Sequence, residues 1–266
     1  MAESSVFKIA LLQTQVLDNV DDNLTSCAGM VENAKLQGAD IAVLPEMFCC
    51  PYNNVSFVKN AEKKGDRIHT ALSKMAKDNN IILVGGSMPE RDGDKLFNTC
   101  FVFDNKGRQI ARHRKAHMCD IDIEGGQHFR ESAVFTPGKG ATVFDSPFGK
   151  IGVCICYDIR FPEMFRDMVK QGATAVIAPS AFNMTTGPMH WMLLNRTRAV
   201  DNQIYMLSCA PATDMNASYV SYAHSMAVNP WGQVMIDAGT EPGVSIVELD
   251  RFLPISVRLQ IPVGNK

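Results

Sequence analysis

The chain has little net charge: 26 lysines and arginines stand against 28 aspartates and glutamates, a formal charge of −2. No basic field is available to gather nucleic acid or anionic lipid, so neither is expected as a partner. No apolar run approaches the roughly 18 residues a membrane-spanning helix needs, and no membrane association is expected. The eight cysteines, at 27, 49, 50, 100, 119, 154, 156 and 209, contain no CxxC pair and do not form a short secreted framework. The opening Met1-Ala2-Glu3-Ser4-Ser5 lacks the basic segment of a secretory leader. A reducing, cytoplasmic setting follows, where a cysteine is a buried small hydrophobe or a working thiol. Also missing is any Pro/Gly/Ser-rich linker or break in composition, so residues 1–266 read as one domain.

What the sequence does contain is a globular composition, 46% hydrophobic and 20% charged. Phe7 to Gln13 reads as a strand. Val20, Leu24, Cys27, Val31 and Ala34 recur at helical spacing, and Gly38 takes the C′ position. Ile41 to Leu44 is a continuous apolar strand stopped by Pro45, and a helix over Asp66–Asp78 leads to the strand Ile81 to Val84. Shorter connections follow, with strands at Thr99–Phe103, Gln109–Arg114, Thr142–Asp145 and Ile151–Cys156. A helix over Pro162–Gln171, a strand over Thr174–Ala178 and a helix from Met189 to Asn202 restore the alternation. Strands at Ile204–Ser208, Ser225–Asn229, Gln233–Ile236 and Ser245–Leu249 close the chain. Crossovers interleaved with hairpins predict an α/β fold with mixed sheets, its two halves loosely alike in element order.

Three places can carry chemistry. The segment Ile151 to Glu163 predicts a buried strand running into Cys156, then a polar turn and a helix opening at Pro162. A thiol there sits at the mouth of an open α/β sheet, and a helix N-terminus favours thiolate. Strand alternation places Cys154 on the same face, one pleat deeper, although free cysteines are more often core filler. Glu46 follows the strand Ile41–Leu44; poorly solvated there, it suits proton abstraction from a thiol, whereas a surface glutamate is the commoner case. The run His113-Arg114-Lys115-Ala116-His117 offers positive charge for an oxyanion, although such runs usually form a solvated face. His113 and His117 mimic a metal pair, but no glutamate stands between them in HExxH order, so no metal is expected.

Leu44-Pro45-Glu46, Arg114-Lys115-x-His117, Phe129-Arg130-Glu131-Ser132 and Ile155-Cys156-Tyr157-Asp158-x-Arg160-Phe161-Pro162-Glu163 together resemble the nitrilase superfamily of carbon–nitrogen hydrolases. Ala181-Phe182-Asn183-Met184-Thr185-Thr186-Gly187-Pro188-x-His190-Trp191, Arg198 to Gln203 and Asn229-Pro230-Trp231-Gly232 resemble its omega-amidase branch. The resemblance runs from about Lys8 to Pro262. It implies a four-layer α-β-β-α sandwich that pairs into homodimers, and a triad of Glu46, Lys115 and Cys156 with Glu131 close by. His113 stands where tyrosine is usual, Met118 for leucine and Arg130 for glutamine, and Cys154 occupies a position that is more often small. His113 and Arg130 thereby add charge potential near the site.

The chemistry so implied is cysteine acyl transfer without metal or organic cofactor. Glu46 moves protons, while Lys115 and the Tyr157 backbone N–H hold the oxyanion. Glu131 holds Lys115 or the substrate amide. The small-molecule substrates of that branch are monoamides of 2-oxo dicarboxylic acids. Arg160 suits their far carboxylate through its planar fork, with Phe182 and Thr186 lining the same pocket. Other readings are a related amidase acting on an amide such as deaminated glutathione, a nitrile hydrolase, or a catalytically silent scaffold. An α/β-hydrolase elbow at Cys154 is disfavoured because Cys156 stands where glycine is needed.

Overall fold

The computed structural model describes residues 5–263; of the Met1–Ser5 opening, all but Ser5 lies outside the described residues. In chain order the first elements are β1 (Val6–Gln13), α1 (Val20–Leu36), β2 (Ile41–Val43), α2 (Asn54–Lys59) and α3 (Arg67–Asp78). There follow β3 (Ile82–Val84), β4 (Met88–Asp92), β5 (Lys95–Phe103), β6 (Gln109–Arg114), β7 (Asp120–Asp122) and β8 (His128–Arg130). Next come β9 (Thr142–Ser146), β10 (Gly149–Val153), α4 (Pro162–Lys170), β11 (Ala175–Pro179) and α5 (Gly187–Asn202). The last are β12 (Tyr205–Cys209), β13 (Met226–Val228), β14 (Val234–Asp237), β15 (Gly243–Asp250) and α6 (Leu253–Gln260).

Local chemistry explains the ends of these elements. The Asn19 side chain accepts from the Asp21 and Asp22 backbone N–H groups at the start of α1, and Gly38, at φ +86°, closes it. Proline occupies the first turn of α4, where its missing N–H costs nothing.

One sheet runs β15-β1-β2-β3-β5-β4, with β6 also on β5; the other runs β14-β13-β12-β11-β10-β9. Each has a parallel centre, β1-β2-β3 and β10-β11-β12, bounded by antiparallel strands. That repetition is the loose likeness between the halves. Alternation along β1 sends Ile9 and Leu11 into a core shared with Val153, Ile177 and Leu207 of the second sheet. Ala10 and Leu12 point the other way, onto Leu24 and Val31 of α1 and Leu72 of α3. On the far side, Phe165 of α4 and Trp191 of α5 pack on the second sheet. The layers are therefore α-β-β-α, as the resemblance to the nitrilase superfamily implies.

Several expectations need correction. The strand expected over Ile151–Cys156 ends at Val153, and Cys156 opens a 3₁₀ turn at φ +46°. The pleat argument for Cys154 therefore fails; that side chain lies fully buried in the hydrophobic core. α5 begins at Gly187, two residues before the expected start. Elements α2, β4, β7, β8 and α6 carry no clear period in the sequence. β4, Met-Pro-Glu-Arg-Asp, is an edge strand, which is where proline and charge are tolerated. Among the described residues no helix is long and apolar enough to cross a membrane.

Candidate active site

Glu46 is set by the loop after β2. Ser87 N–H donates to the Pro45 carbonyl, and the Ser87 hydroxyl accepts from Met47 N–H, itself at φ +51°. This needs Gly86: a Cβ there would stand 2.2 Å from the Pro45 carbonyl oxygen, and its φ is +59°. Lys115 directly follows β6. Its N–H donates to Asn98 of β5, and its carbonyl accepts from Gly138, where a Cβ would lie 2.0 Å from the Arg114 carbonyl oxygen. Glu131 begins a short 3₁₀ turn after β8.

These side chains converge in a fully buried polar cluster. Lys115 Nζ lies 2.8 Å from Glu46 Oε1 and 2.8 Å from Glu131 Oε2. Asn98 Nδ2 donates to both carboxylates, at 2.8 and 2.9 Å, and Tyr52 Oη donates to Glu46 Oε1 at 3.3 Å. Cys119 N–H donates to Glu131 Oε2 at 2.7 Å. Glu46 Oε1 thus takes three donors, while Oε2 has no hydrogen-bond partner of good geometry. The Cys156 thiol nevertheless lies near enough to lower the Glu46 pKa.

Burial raises Glu46 above the usual carboxylate range, with Glu131 adding and Lys115 opposing. Burial also pushes the Cys156 thiol well up; Glu46 adds to this and Lys115 pulls the other way. The help a helix start could give to thiolate is lost, because a 3₁₀ turn separates Cys156 from α4, and the expected arrangement of a thiol beside a base stands on Glu46. Burial works against the Lys115 ammonium, but Glu131 and Glu46 outweigh it and keep it charged. The basic run is likewise no solvated face, since His113 and Lys115 are buried.

Cys156, Tyr157, Arg160, Phe182 and Thr186 line one small pocket with Cys119 and Tyr219. The Arg160 guanidinium lies 5.3 Å from the Tyr157 ring centroid and 5.1 Å from that of Phe182, and Nη1 donates to His190 Nδ1 at 3.3 Å. Its Nε is buried without a partner. A larger cavity of about 280 Å³ lies beside Glu46, lined also by Tyr52, Asp18 and Asp214; Ala181 and Tyr219 border both spaces.

Sequence reasoning missed Asn98, Tyr52 and Tyr219. Asn98 had a signal, a lone amide inside the largely apolar run Leu96–Phe103. The tyrosines come from loops distant in sequence and gave none. Of the charges thought to modify the site, His113 is bound to Asp158, and Arg130 is exposed, with its charge felt by Asp120. Among the described residues no cluster of three or more His, Cys, Asp or Glu could hold a metal ion.

Comparison with known proteins shows the family. The omega-amidases NIT2 of Mus musculus and Homo sapiens are 45% and 44% identical over 97% of this chain, covering 94% and 93% of their own length. The crystal structure of Saccharomyces cerevisiae Nit3, a member of branch 10 of the nitrilase superfamily, superposes with a TM-score of 0.91 at 38% identity, covering 100% of this chain and 98% of its own. An amidase from Nesterenkonia sp. superposes with a TM-score of 0.78 at 27% identity, over 96% of this chain and 95% of its own. Residues 8–258 match the carbon–nitrogen hydrolase family, and the chain belongs to it.

Proposed function

We propose that this enzyme is an omega-amidase, hydrolysing the terminal amide of small 2-oxo dicarboxylic acid monoamides such as 2-oxoglutaramate and 2-oxosuccinamate. The observation that carries the substrate class is Arg160. Its guanidinium lies beside two aromatic rings in the same pocket as the Cys156 sulfur, with Nε buried and unpaired. A buried unmet N–H is costly, and a substrate carboxylate supplies its acceptor. The similarity to the mouse and human proteins named omega-amidase supports the same reading.

In the mechanism, Cys156 Sγ attacks the amide carbonyl and its proton passes to Glu46 Oε2, the oxygen left free by the three donors on Oε1. Lys115 and the Tyr157 N–H take the oxyanion. As the C–N bond breaks, Glu46 returns the proton to nitrogen and ammonia leaves a thioester. Glu46 then takes a proton from a water that attacks the thioester carbonyl; as the C–S bond breaks and the acid leaves, Glu46 returns the proton to Cys156 Sγ. Glu131 and Asn98 hold Lys115 and Glu46 in register. In a mutant of the Nesterenkonia amidase acrylamide has undergone Michael addition at the active-site cysteine, which supports a sulfur nucleophile in this fold.

Two copies associate through α5, whose outer side presents Met189, Met192, Leu193 and Val200. Eight free thiols support a cytoplasmic setting. The function is tested by ammonia release from 2-oxoglutaramate, deaminated glutathione and a simple aliphatic amide. Arg160→Ala is expected to raise KM more than tenfold for the carboxylate-bearing amide and leave the aliphatic one nearly unchanged. An equal effect on both, or preference for the glutathione derivative, overturns the assignment.

A further inference from the structure

Asp158, two residues beyond Cys156, is fully buried, and no step of the proposed reaction uses it. Five donors meet its carboxylate. Oδ2 accepts from Ile155 N–H at 3.0 Å and from His113 Nε2 at 3.0 Å. Oδ1 accepts from Ala116 N–H at 3.2 Å, His117 N–H at 3.0 Å and His117 Nδ1 at 2.8 Å. One of these donors belongs to the turn that carries Cys156; the other four flank Lys115 on both sides. His113 Nδ1 in turn meets Thr142 Oγ1 of β9 at 3.0 Å, and the His117 ring stacks on Phe161, with centroids 3.6 Å apart. Thus Lys115, at the edge of the first sheet, and Cys156, at the mouth of the second, are both tied to one carboxylate.

We propose that Asp158 is a positioning residue, a clasp that fixes the distance between the Cys156 sulfur and the Lys115 ammonium, with His113 and His117 as its two side-chain anchors. A carboxylate suits this post because it only accepts, so every N–H around it is satisfied at once. The donors hold Asp158 well below its usual range against the effect of burial, so the clasp stays charged throughout the working pH range. The clasp also restrains Cys156 in its left-handed conformation, which an unrestrained cysteine would leave. The inference rests on Cys156 and Lys115 acting together, as set out above.

The test uses the full chain and Asp158→Asn, which keeps the shape but turns an NH₂ group toward N–H donors. Two readouts are taken: steady-state kinetics on whichever amide the wild type hydrolyses fastest, and hydrogen exchange. Asp158→Asn is expected to lower kcat at least thirtyfold with KM within threefold. Amides of residues 113–118 and 154–160 should exchange at least tenfold faster together, while those of β1 and β11 stay unchanged. His117→Gln, partly exposed and milder, is expected to show both effects at a few-fold level and serves if Asp158→Asn does not fold. A kcat within threefold of wild type, or faster exchange in one segment alone, overturns the clasp. Hydrogen exchange needs no substrate, so an enzyme inert on every amide tried would refute the proposed function while still reading out the clasp.

Discussion

At the scale of single residues, the site is organised by unequal use of one carboxylate. Lys115, Asn98 and Tyr52 occupy Glu46 Oε1, and Oε2 is left for a proton. Because burial raises Glu46 above its ordinary value of 4.5, and the mechanism needs it ionised, kcat/KM should fall as the pH drops through that raised value. The acid limb of a pH profile is therefore expected above pH 4.5; a limb at or below it would refute Glu46 as base. Lys115→Met should cost about 3–4 kcal/mol of transition-state stabilisation, roughly 10²–10³ in kcat. It should also push the acid limb higher, because Glu46 and Glu131 lose the ammonium between them. A profile that keeps its acid limb after that substitution would separate Lys115 from Glu46. Sequence motifs marked Glu46, Lys115, Glu131 and Cys156, but not Asn98, whose value lies in touching two carboxylates 52 and 33 residues away.

Among elements, what was legible depended on burial. Strands buried on both faces, such as β2 and β11, read as unbroken apolar runs, and α1 showed its stripe and its Gly38 end, though not its Asn19 cap. The hairpin β7–β8 is largely exposed and charged, and β4 lies at an edge, so neither bears a period. The turn after β10 was misread as strand because Cys154 and Ile155 are as apolar as the strand before them. What ends β10 is the turn that follows: Asp158, three residues on, accepts from Ile155 N–H and draws the chain into a 3₁₀ turn. Short loops hold the site as firmly as strands do. Gly138 packs against the chain just before Lys115, and Gly138→Ala would place a methyl 2.0 Å from a backbone oxygen. We expect a loss of about 1–3 kcal/mol in urea unfolding and a fall in kcat of tenfold or more as Lys115 shifts. Unchanged kinetics in that variant would mean the loop does not set Lys115.

For the whole molecule, the outer face of α5 is the feature least suited to a single copy in water. Met189 is 65% exposed and Leu193 62%, one turn apart on a helix whose other side carries the buried Trp191. Leu193→Glu should convert the proposed dimer to monomer in sedimentation analysis and leave the α-β-β-α sandwich intact. A wild-type chain that sediments as one copy refutes the assembly. The full α-β-β-α architecture was accessible from motifs, yet which sheet carried which catalytic group was not. That division has its own consequence. Glu46 and Lys115 ride on one sheet and Cys156 on the other, so sliding one sheet along the other by a single residue's rise, about 3.3 Å, would disconnect base from sulfur while leaving every strand paired. Turnover is therefore a finer gauge of how the two halves are seated than any measure of their helix or strand content, and on gentle heating or dilute denaturant it should fade before the circular dichroism does.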